Sequence, residues 1–136
     1  MSAIAQILVV DDHPIIRKAI CALLRAEDDI DVVCDATNGQ EAVAQATDLQ
    51  PDVVILDISM PGMNGLEVAP YIKKAAPFTE IIFLSLDAEL ETIRQAFRVG
   101  ARGYVVKSDA GKDLVPAIHS VRARNRFLNE RLSARL

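Results

Sequence analysis

The sequence has 136 residues, of which 51% are hydrophobic and 25% are charged, and its formal net charge is −4. This length and composition fit one compact globular domain and argue against a disordered chain. The apolar runs are much shorter than the ~20 residues that span a bilayer, and the first residues lack the basic start of a signal peptide. Cys21 and Cys34 form no CxxC pair, so we expect reduced thiols in a cytoplasmic protein with no membrane contact.

Charge is distributed unevenly along the chain. Residues 119–136 contain five arginines and one acid, so this segment carries +4 and the preceding 118 residues carry −8. The acidic part should be repelled by nucleic-acid phosphates. The basic end is expected to be a solvated helix face or a linker, with a nucleic-acid-binding tail as the alternative.

Five short apolar runs alternate with segments of helical periodicity. Four of the runs are continuous and β-branched residues are abundant, which is typical of strands buried on both faces of a parallel sheet. Between them, apolar residues recur three and four positions apart, as expected for amphipathic helices. The β-α order, repeated five times, predicts an α/β fold with a doubly wound, five-stranded parallel sheet and five helices. The runs are residues 7–10, 31–34, 52–56, 80–84 and 103–106.

Glycine and proline mark or interrupt the predicted helices. The second helix should start after a turn at Asn38–Gly39, and Gly100 is well placed to end the fourth. Pro70 and Pro116 fall inside predicted helices, where each removes a backbone donor. Each proline should therefore kink its helix or mark a later start.

Polar side chains follow four of the five runs. Asp11 and Asp12 follow the first run, Asp57 the third, Ser85 the fourth and Lys107 the fifth. Ligands of open parallel sheets bind in the crevice beyond the carboxyl ends of the strands, so we expect these five side chains to converge there. One such residue would be typical of a helix cap or a solvated side chain, but capping does not explain all five.

The three carboxylates in this crevice require a counter-charge. Two carboxylates about 5 Å apart repel by roughly 3 kcal/mol at an effective dielectric constant of 20. Lys107 offsets one negative charge, and a divalent cation with oxygen ligands would offset two. Mg²⁺ suits these donors, whereas the lack of Cys ligands and the presence of a single nearby histidine, His13, disfavour Zn²⁺.

Four motifs resemble those of the response-regulator receiver domain of two-component signalling, over residues 4–121. They are VVDDHP (9–14), DVVILDISMPGMNGLE (52–67), FLSLDAE (83–89) and GARGYVVKS (100–108). Within that family, DDHP and GARGYVVKS resemble the NarL/FixJ-type transcriptional regulators. The resemblance implies a flavodoxin-like strand order of 2-1-3-4-5 and a phosphoryl group received from a sensor histidine kinase.

The resemblance also implies the roles of the acids. Asp57 is expected to be the phosphoacceptor, a nucleophile that forms an acyl phosphate. Asp12 and Asp57 would supply carboxylates to Mg²⁺, with the backbone carbonyl of Ser59 as a third ligand. Asp11 would act through the water shell of the metal. The chain would thus accept a phosphoryl group without being a turnover enzyme.

Four further residues belong to the expected mechanism or lie beside it. Ser85 and Lys107 would hold oxygens of the phosphoryl group. Tyr104, a half-buried aromatic by its sequence pattern, would be the rotameric switch that responds when Ser85 moves. His13 is expected to be a loop or helix-start residue beside the acids, not a ligand or a phosphocarrier.

The chain departs from the commoner receiver pattern at three positions. Ser85 stands where many receivers have Thr, Leu86 where many have Ala or Gly, and Ser108 where many have Pro. Each departure leaves the reacting groups in place, so we expect altered rates and the same function. In particular, Leu86 should obstruct access to Asp57.

Two other functions compete with this interpretation. A small Mg²⁺-dependent phosphohydrolase using an aspartyl phosphate would share the acids and the metal. It would also need a further general acid/base and a substrate pocket. A receiver-like binding module that never takes phosphate is disfavoured by the complete set of reacting groups.

The C-terminal residues suggest a larger protein. Residues 1–122 are predicted to form the receiver domain, and residues 123–136 a C-terminal helix or linker that leads to a DNA-binding domain absent from this chain. Phe127, Leu128, Leu132 and Leu136 recur at roughly helical spacing, and we expect them to form an amphipathic helix with no core partner. DNA would be contacted only through the absent domain, and phosphorylation could produce a homodimer. The alternative is a stand-alone receiver with a basic tail.

Overall fold

The fold, taken from a computed structural model, is an α/β sandwich of alternating strands and helices, and the structure describes residues 4–136. The five predicted strands and five predicted helices are all present, and a single 3-10 turn precedes the fifth helix. A sixth, four-residue helix follows near the C-terminus. The elements are β1 (Ala5–Val10), α1 (Pro14–Arg25), β2 (Ile30–Ala36), α2 (Gly39–Leu49), β3 (Val53–Asp57), α3 (Gly65–Ala75), β4 (Glu80–Ser85), α4 (Leu90–Arg98), β5 (Gly103–Val106), the 3-10 turn (Lys107–Asp109), α5 (Ala110–Arg122) and α6 (Glu130–Ser133).

The sheet is parallel throughout, with the order β2-β1-β3-β4-β5, which confirms the predicted flavodoxin-like fold. Successive side chains of a strand point to opposite faces, so each strand contributes to two apolar clusters. Leu56 and Phe83 pack on the face covered by α2, α3 and α4. Ile55 and Leu84 pack on the face covered by α1 and α5. All five residues of β3 are buried, because this strand is central and covered on both sides.

Local signals set the helix boundaries. The side chain of Asn38 accepts a hydrogen bond from the Glu41 N–H and caps α2, as the turn at this position predicted. After α4, Gly100 adopts a φ of +108°, a conformation that favours glycine. Pro70 and Pro116 lie inside continuous helices, so neither marks a later start.

The C-terminal segment packs against the domain. The N–H of Phe127 donates to the carbonyl of Arg102 (2.9 Å), and the N–H of Tyr104 donates to the carbonyl of Phe127 (3.1 Å), which forms a parallel bridge at the edge of the sheet. Leu132 is buried in the core with 1% exposure. The expectation of an amphipathic helix without a core partner is therefore wrong, because the free edge of β5 and the adjoining apolar surface provide one.

Candidate functional site

The parallel sheet brings the predicted polar residues to one edge. Asp11 follows β1, Asp57 ends β3, Ser85 ends β4, and Lys107 follows β5. In register, Asp57 lies beside Leu84 and Ser85 lies beside Val106, so these strands end at nearly the same level. The predicted crevice beyond the carboxyl ends of the strands is thus present.

Lys107 joins two of the acids. Its Nζ lies 3.3 Å from Asp11 Oδ2 and 3.2 Å from Asp57 Oδ1. The side chain of Lys107 is 6% exposed, and both carboxylates are fully buried. Since removing charges from water is costly, these ion pairs are what allows two buried carboxylates to lie together.

His13 lies beside the acids, as the sequence predicted. It is the N-cap residue of α1, so the expected helix-start position is correct. Its backbone N–H donates to Asp11 Oδ1 (2.8 Å). Its ring Nδ1 lies 3.1 Å from that same oxygen and 3.2 Å from Asp12 Oδ1. The imidazole therefore faces the acidic crevice, although half of the side chain remains exposed.

The donor set fits a hard divalent cation. One ligand atom from each of Asp11, Asp12, His13 and Asp57 can be chosen so that all lie within 4.8 Å of one another. Asp12 Oδ1 and Asp57 Oδ2 are buried and have no hydrogen-bond partner within the described part of the chain. Buried oxygens without partners are unfavourable, and a cation bound between them would satisfy both. Carboxylate oxygens of this kind are the ligands that Mg²⁺ prefers.

The environment of Asp57 favours its protonated form when the site holds no cation. Burial and, second, the Asp11 carboxylate raise the pKa of Asp57 from 3.8 to about 6, against the opposing effects of Lys107 and of the Ser59 N–H. The Ser59 N–H donates to Asp57 Oδ1 at 3.1 Å. The carboxylate is therefore held in an environment that a cation or a proton would stabilise.

Ser85 and Tyr104 are linked through the β4–α4 loop. The N–H of Asp87 donates to Ser85 Oγ (3.2 Å), and the Tyr104 hydroxyl donates to the Asp87 carbonyl (2.7 Å). Tyr104 is 1% exposed, so the prediction of a half-buried ring is wrong. Burial raises its pKa to about 12, so the hydroxyl stays protonated and remains a donor.

Comparison with known proteins identifies the family to which this fold belongs. The sequence profile of the response regulator receiver domain matches residues 7–119. The nitrate/nitrite response regulator NarL of Escherichia coli is 36% identical over 129 residues, which make up 95% of this chain and 60% of NarL. The chain belongs to the response regulator receiver domain family. This receiver therefore spans less than two thirds of the length of that relative.

Solved structures agree with this assignment. A two-component response regulator of the LuxR family from Aurantimonas superposes on the receiver with a TM-score of 0.92 at 30% identity, covering 97% of this chain and 94% of that one. The isolated receiver domain of RcsB from Salmonella enterica serovar Typhimurium, in the presence of the phosphomimetic BeF3−, superposes with a TM-score of 0.88 at 26% identity. That match covers 98% of this chain and 99% of the RcsB domain. The chain is thus a receiver of the NarL/LuxR type, a family of signal transducers.

Two residues of the receiver support the site through contacts that the sequence does not indicate. Arg17 donates to the Asp11 carbonyl (2.9 Å) and pairs with Asp35 of β2 (3.0 Å), which fixes the end of β1. Gly65 lies directly behind the loop that follows Asp57, where a Cβ would come within 2.3 Å of the Asp57 carbonyl oxygen. The Asn64–Gly65 pair before a helix was the available signal for Gly65, whereas the contacts of Arg17 depend on strand pairing.

The remaining predicted residues of the receiver lie around the rim of the crevice. Ser59 is exposed two residues after Asp57. Leu86 directly follows Ser85, and its side chain is 71% exposed. None of the helices in the described residues has the length and apolar character needed to cross a membrane.

Proposed function

We propose that Asp57 accepts a phosphoryl group from a phosphohistidine of a sensor histidine kinase. The observation that carries this proposal is the Asp57 carboxylate, which is fully buried beside Lys107 and the Asp11 carboxylate and whose Oδ2 accepts no hydrogen bond from the described residues. A carboxylate oxygen of Asp57 would form the new P–O bond while the P–N bond to the donor imidazole breaks. The leaving imidazole takes up a proton from solvent, and the product is an acyl phosphate.

We further propose that Mg²⁺ is required for this transfer. Asp12, Asp57 and the backbone carbonyl of Ser59 would hold the ion, and Asp11 would act through a bound water. When bound, the ion would neutralise charge on the transferred phosphoryl oxygens. Lys107 Nζ is available to a phosphoryl oxygen because it already lies 3.2 Å from Asp57 Oδ1. The hydroxyl of Ser85 would donate to a second phosphoryl oxygen.

In this proposal, Tyr104 reports the state of the site. Donation from Ser85 to a phosphoryl oxygen would move the loop that carries Asp87, the present acceptor of the Tyr104 hydroxyl. The surface formed by α4, β5 and α5 would change as a result. The added phosphate carries about −1.5 to −2 charges, which is enough to bias such a two-state element.

The receiver would act as a switch with slow autodephosphorylation, and this property separates it from the phosphohydrolase alternative. We propose that residues 1–122 are the receiver and that residues 123–136 lead to a DNA-binding domain in a cytoplasmic transcription regulator. DNA would be contacted through that domain alone, and phosphorylation would promote homodimer formation. The 60% coverage of NarL supports this proposal.

The test is an intact-mass measurement after incubation with acetyl phosphate and Mg²⁺. The mass should increase by one phosphoryl group, and either chelation of Mg²⁺ or the Asp57→Asn substitution should abolish the increase. Equal labelling of Asp57→Asn and the parent would disprove the assignment. Continuous release of phosphate from external esters would instead support the phosphohydrolase.

A further inference from the structure

The C-terminal strap, residues 124–136, covers the open edge of the sheet. Phe127 exchanges backbone hydrogen bonds with Arg102 and Tyr104, so the strap extends the parallel sheet beyond β5 by one bridge. An edge strand offers unpaired N–H and C=O groups, and here the chain itself pairs with some of them.

The segments that follow β4 and β5 each contact the strap through an arginine side chain. Arg135 donates to the Ala88 carbonyl at 3.2 Å, three residues after Ser85. Arg131 pairs with Asp109 at 3.0 Å, two residues after Lys107. The strap is thus anchored to the segments that directly follow the two predicted phosphoryl-binding side chains.

The strap also packs against the surface formed by α4, β5 and α5. Leu132 is 1% exposed and lies in the same apolar cluster as Tyr104. Asn129 donates to the buried carboxylate of Asp113 on α5 at 3.2 Å. The guanidinium of Arg126 lies 4.2 Å from the centroid of the Phe97 ring on α4. All three elements of this surface therefore contact the strap.

We infer that the strap is an internal ligand of the α4–β5–α5 surface and is released when Asp57 is phosphorylated. The inference rests on the proposed function, since it requires Ser85 and Lys107 to move toward a phosphoryl group. That movement displaces Ala88 and Asp109, the partners of Arg135 and Arg131, and moves Asp87 away from Tyr104. Release of the strap exposes the β5 edge and the site of Leu132, and it passes the signal to the chain's own C-terminus.

Amide hydrogen exchange of the full 136-residue chain tests this inference, with beryllofluoride and Mg²⁺ as the phosphoryl probe. Binding at Asp57 is followed separately, by fluorine NMR. Exchange at the Phe127 and Leu132 amides should become faster by about 5- to 150-fold, the usual range for coupling between two sites. If beryllofluoride binds and exchange at these amides is unchanged, the strap inference is overturned and the proposed function stands. If beryllofluoride does not bind, both fail.

Coupling between two sites is reciprocal. Removing the Arg131 and Arg135 contacts must therefore also change the affinity of the Asp57 site for beryllofluoride. The double variant Arg131→Ala/Arg135→Ala should bind beryllofluoride more tightly than the parent. Its control is Arg25→Ala/Lys74→Ala, which removes the same charge from exposed positions in the last turns of α1 and α3, away from the strap. Equal affinities for the two double variants would overturn the inference, because the effect would then follow from net charge rather than from the anchors.

Discussion

Asp57 lies in an environment that opposes its own charge, and this has a measurable effect on stability. Its pKa is raised to about 6 in the folded protein by burial and then by Asp11, from an ordinary value of 3.8. The folded state therefore binds a proton more tightly than the unfolded state. This contribution to stability is fully present below pH 3.8 and is lost as the pH rises through 6.

We expect Asp57→Asn to remove this pH dependence. In metal-free buffer at pH 7.5, the variant should be more stable than the parent by roughly 1–3 kcal/mol, since one pKa unit corresponds to about 1.36 kcal/mol. Urea unfolding between pH 5 and 8 measures the difference. Adding Mg²⁺ should stabilise the parent and have much less effect on the variant. A parent and variant with parallel pH profiles would contradict the assignment of the raised pKa.

Leu86 offers a kinetic test at the rim of the site. It directly follows Ser85, and a bulky side chain there should obstruct both a small phosphodonor and the attacking water. Leu86→Ala should therefore speed both labelling by acetyl phosphate and later hydrolysis, as measured by intact mass over time. Because Leu86 is 71% exposed, its truncation should change stability little.

Phe78→Ala is the matched control for that measurement. Phe78 is 90% exposed and precedes the amino end of β4, whereas Asp57 lies at the carboxyl end of β3. Its truncation should leave both rates unchanged. If Leu86→Ala also leaves them unchanged, access to Asp57 is limited by something other than this side chain.

At the scale of elements, the junction between β3 and α3 is set by a close backbone approach. A Cβ on Gly65 would lie 2.3 Å from the Asp57 carbonyl oxygen, and backbone atoms have little freedom to move. Gly65→Ala should therefore destabilise the fold by about 1–3 kcal/mol and lower the yield of phosphorylated Asp57. Gly111→Ala, in the first turn of α5 with open space around it, should instead stabilise by about 0.4–1 kcal/mol. If Gly65→Ala changes neither the free energy of unfolding nor the yield of phosphorylated Asp57, this account is wrong.

The order of the elements was predictable from the sequence, whereas the position of the C-terminal segment was not. Continuous apolar runs ending in Asp, Ser or Lys are local signals, and the parallel sheet alone then brings Asp57 and Lys107 together. The strap depends on which strand is left at the edge, a property of strand order rather than of the segment itself. The helical spacing of Phe127 and Leu132 was misleading, because Phe127 pairs with β5 and only residues 130–133 are helical.

The same distinction between local and tertiary signals applies to the site. The identities of the proposed reacting side chains follow from their positions at strand ends. The orientation of the His13 ring toward two acids, the full burial of Tyr104 and the support of Asp11 by Arg17 all depend on packing between distant segments. These contacts set the environment of Asp57, so the sequence predicts the chemistry better than it predicts the rates.

For the whole molecule, the distribution of charge limits what this chain can do with DNA. Residues 119–136 carry +4, but Arg131 is already paired with Asp109 and the rest of the chain carries −8. We expect binding to duplex DNA that is weak, independent of sequence and lost between 50 and 200 mM salt, measured by fluorescence anisotropy. Selective binding that persists at 200 mM salt would show that the receiver itself reads DNA, against the proposal of a separate DNA-binding domain.

The size of the native protein is a second test of the proposal that a DNA-binding domain follows the strap. A chain of 14.8 kDa has the mass of a receiver with its strap. A small helical DNA-binding domain would raise the mass to about 22–24 kDa, given usual domain sizes. Blotting cell extract with an antibody raised against residues 4–122 distinguishes the two cases. A band near 15 kDa alone would contradict the proposal that a DNA-binding domain follows residue 136. A band at about 22–24 kDa would leave room for that domain after the strap, and movement of Leu132 out of the core would then change its distance from the receiver.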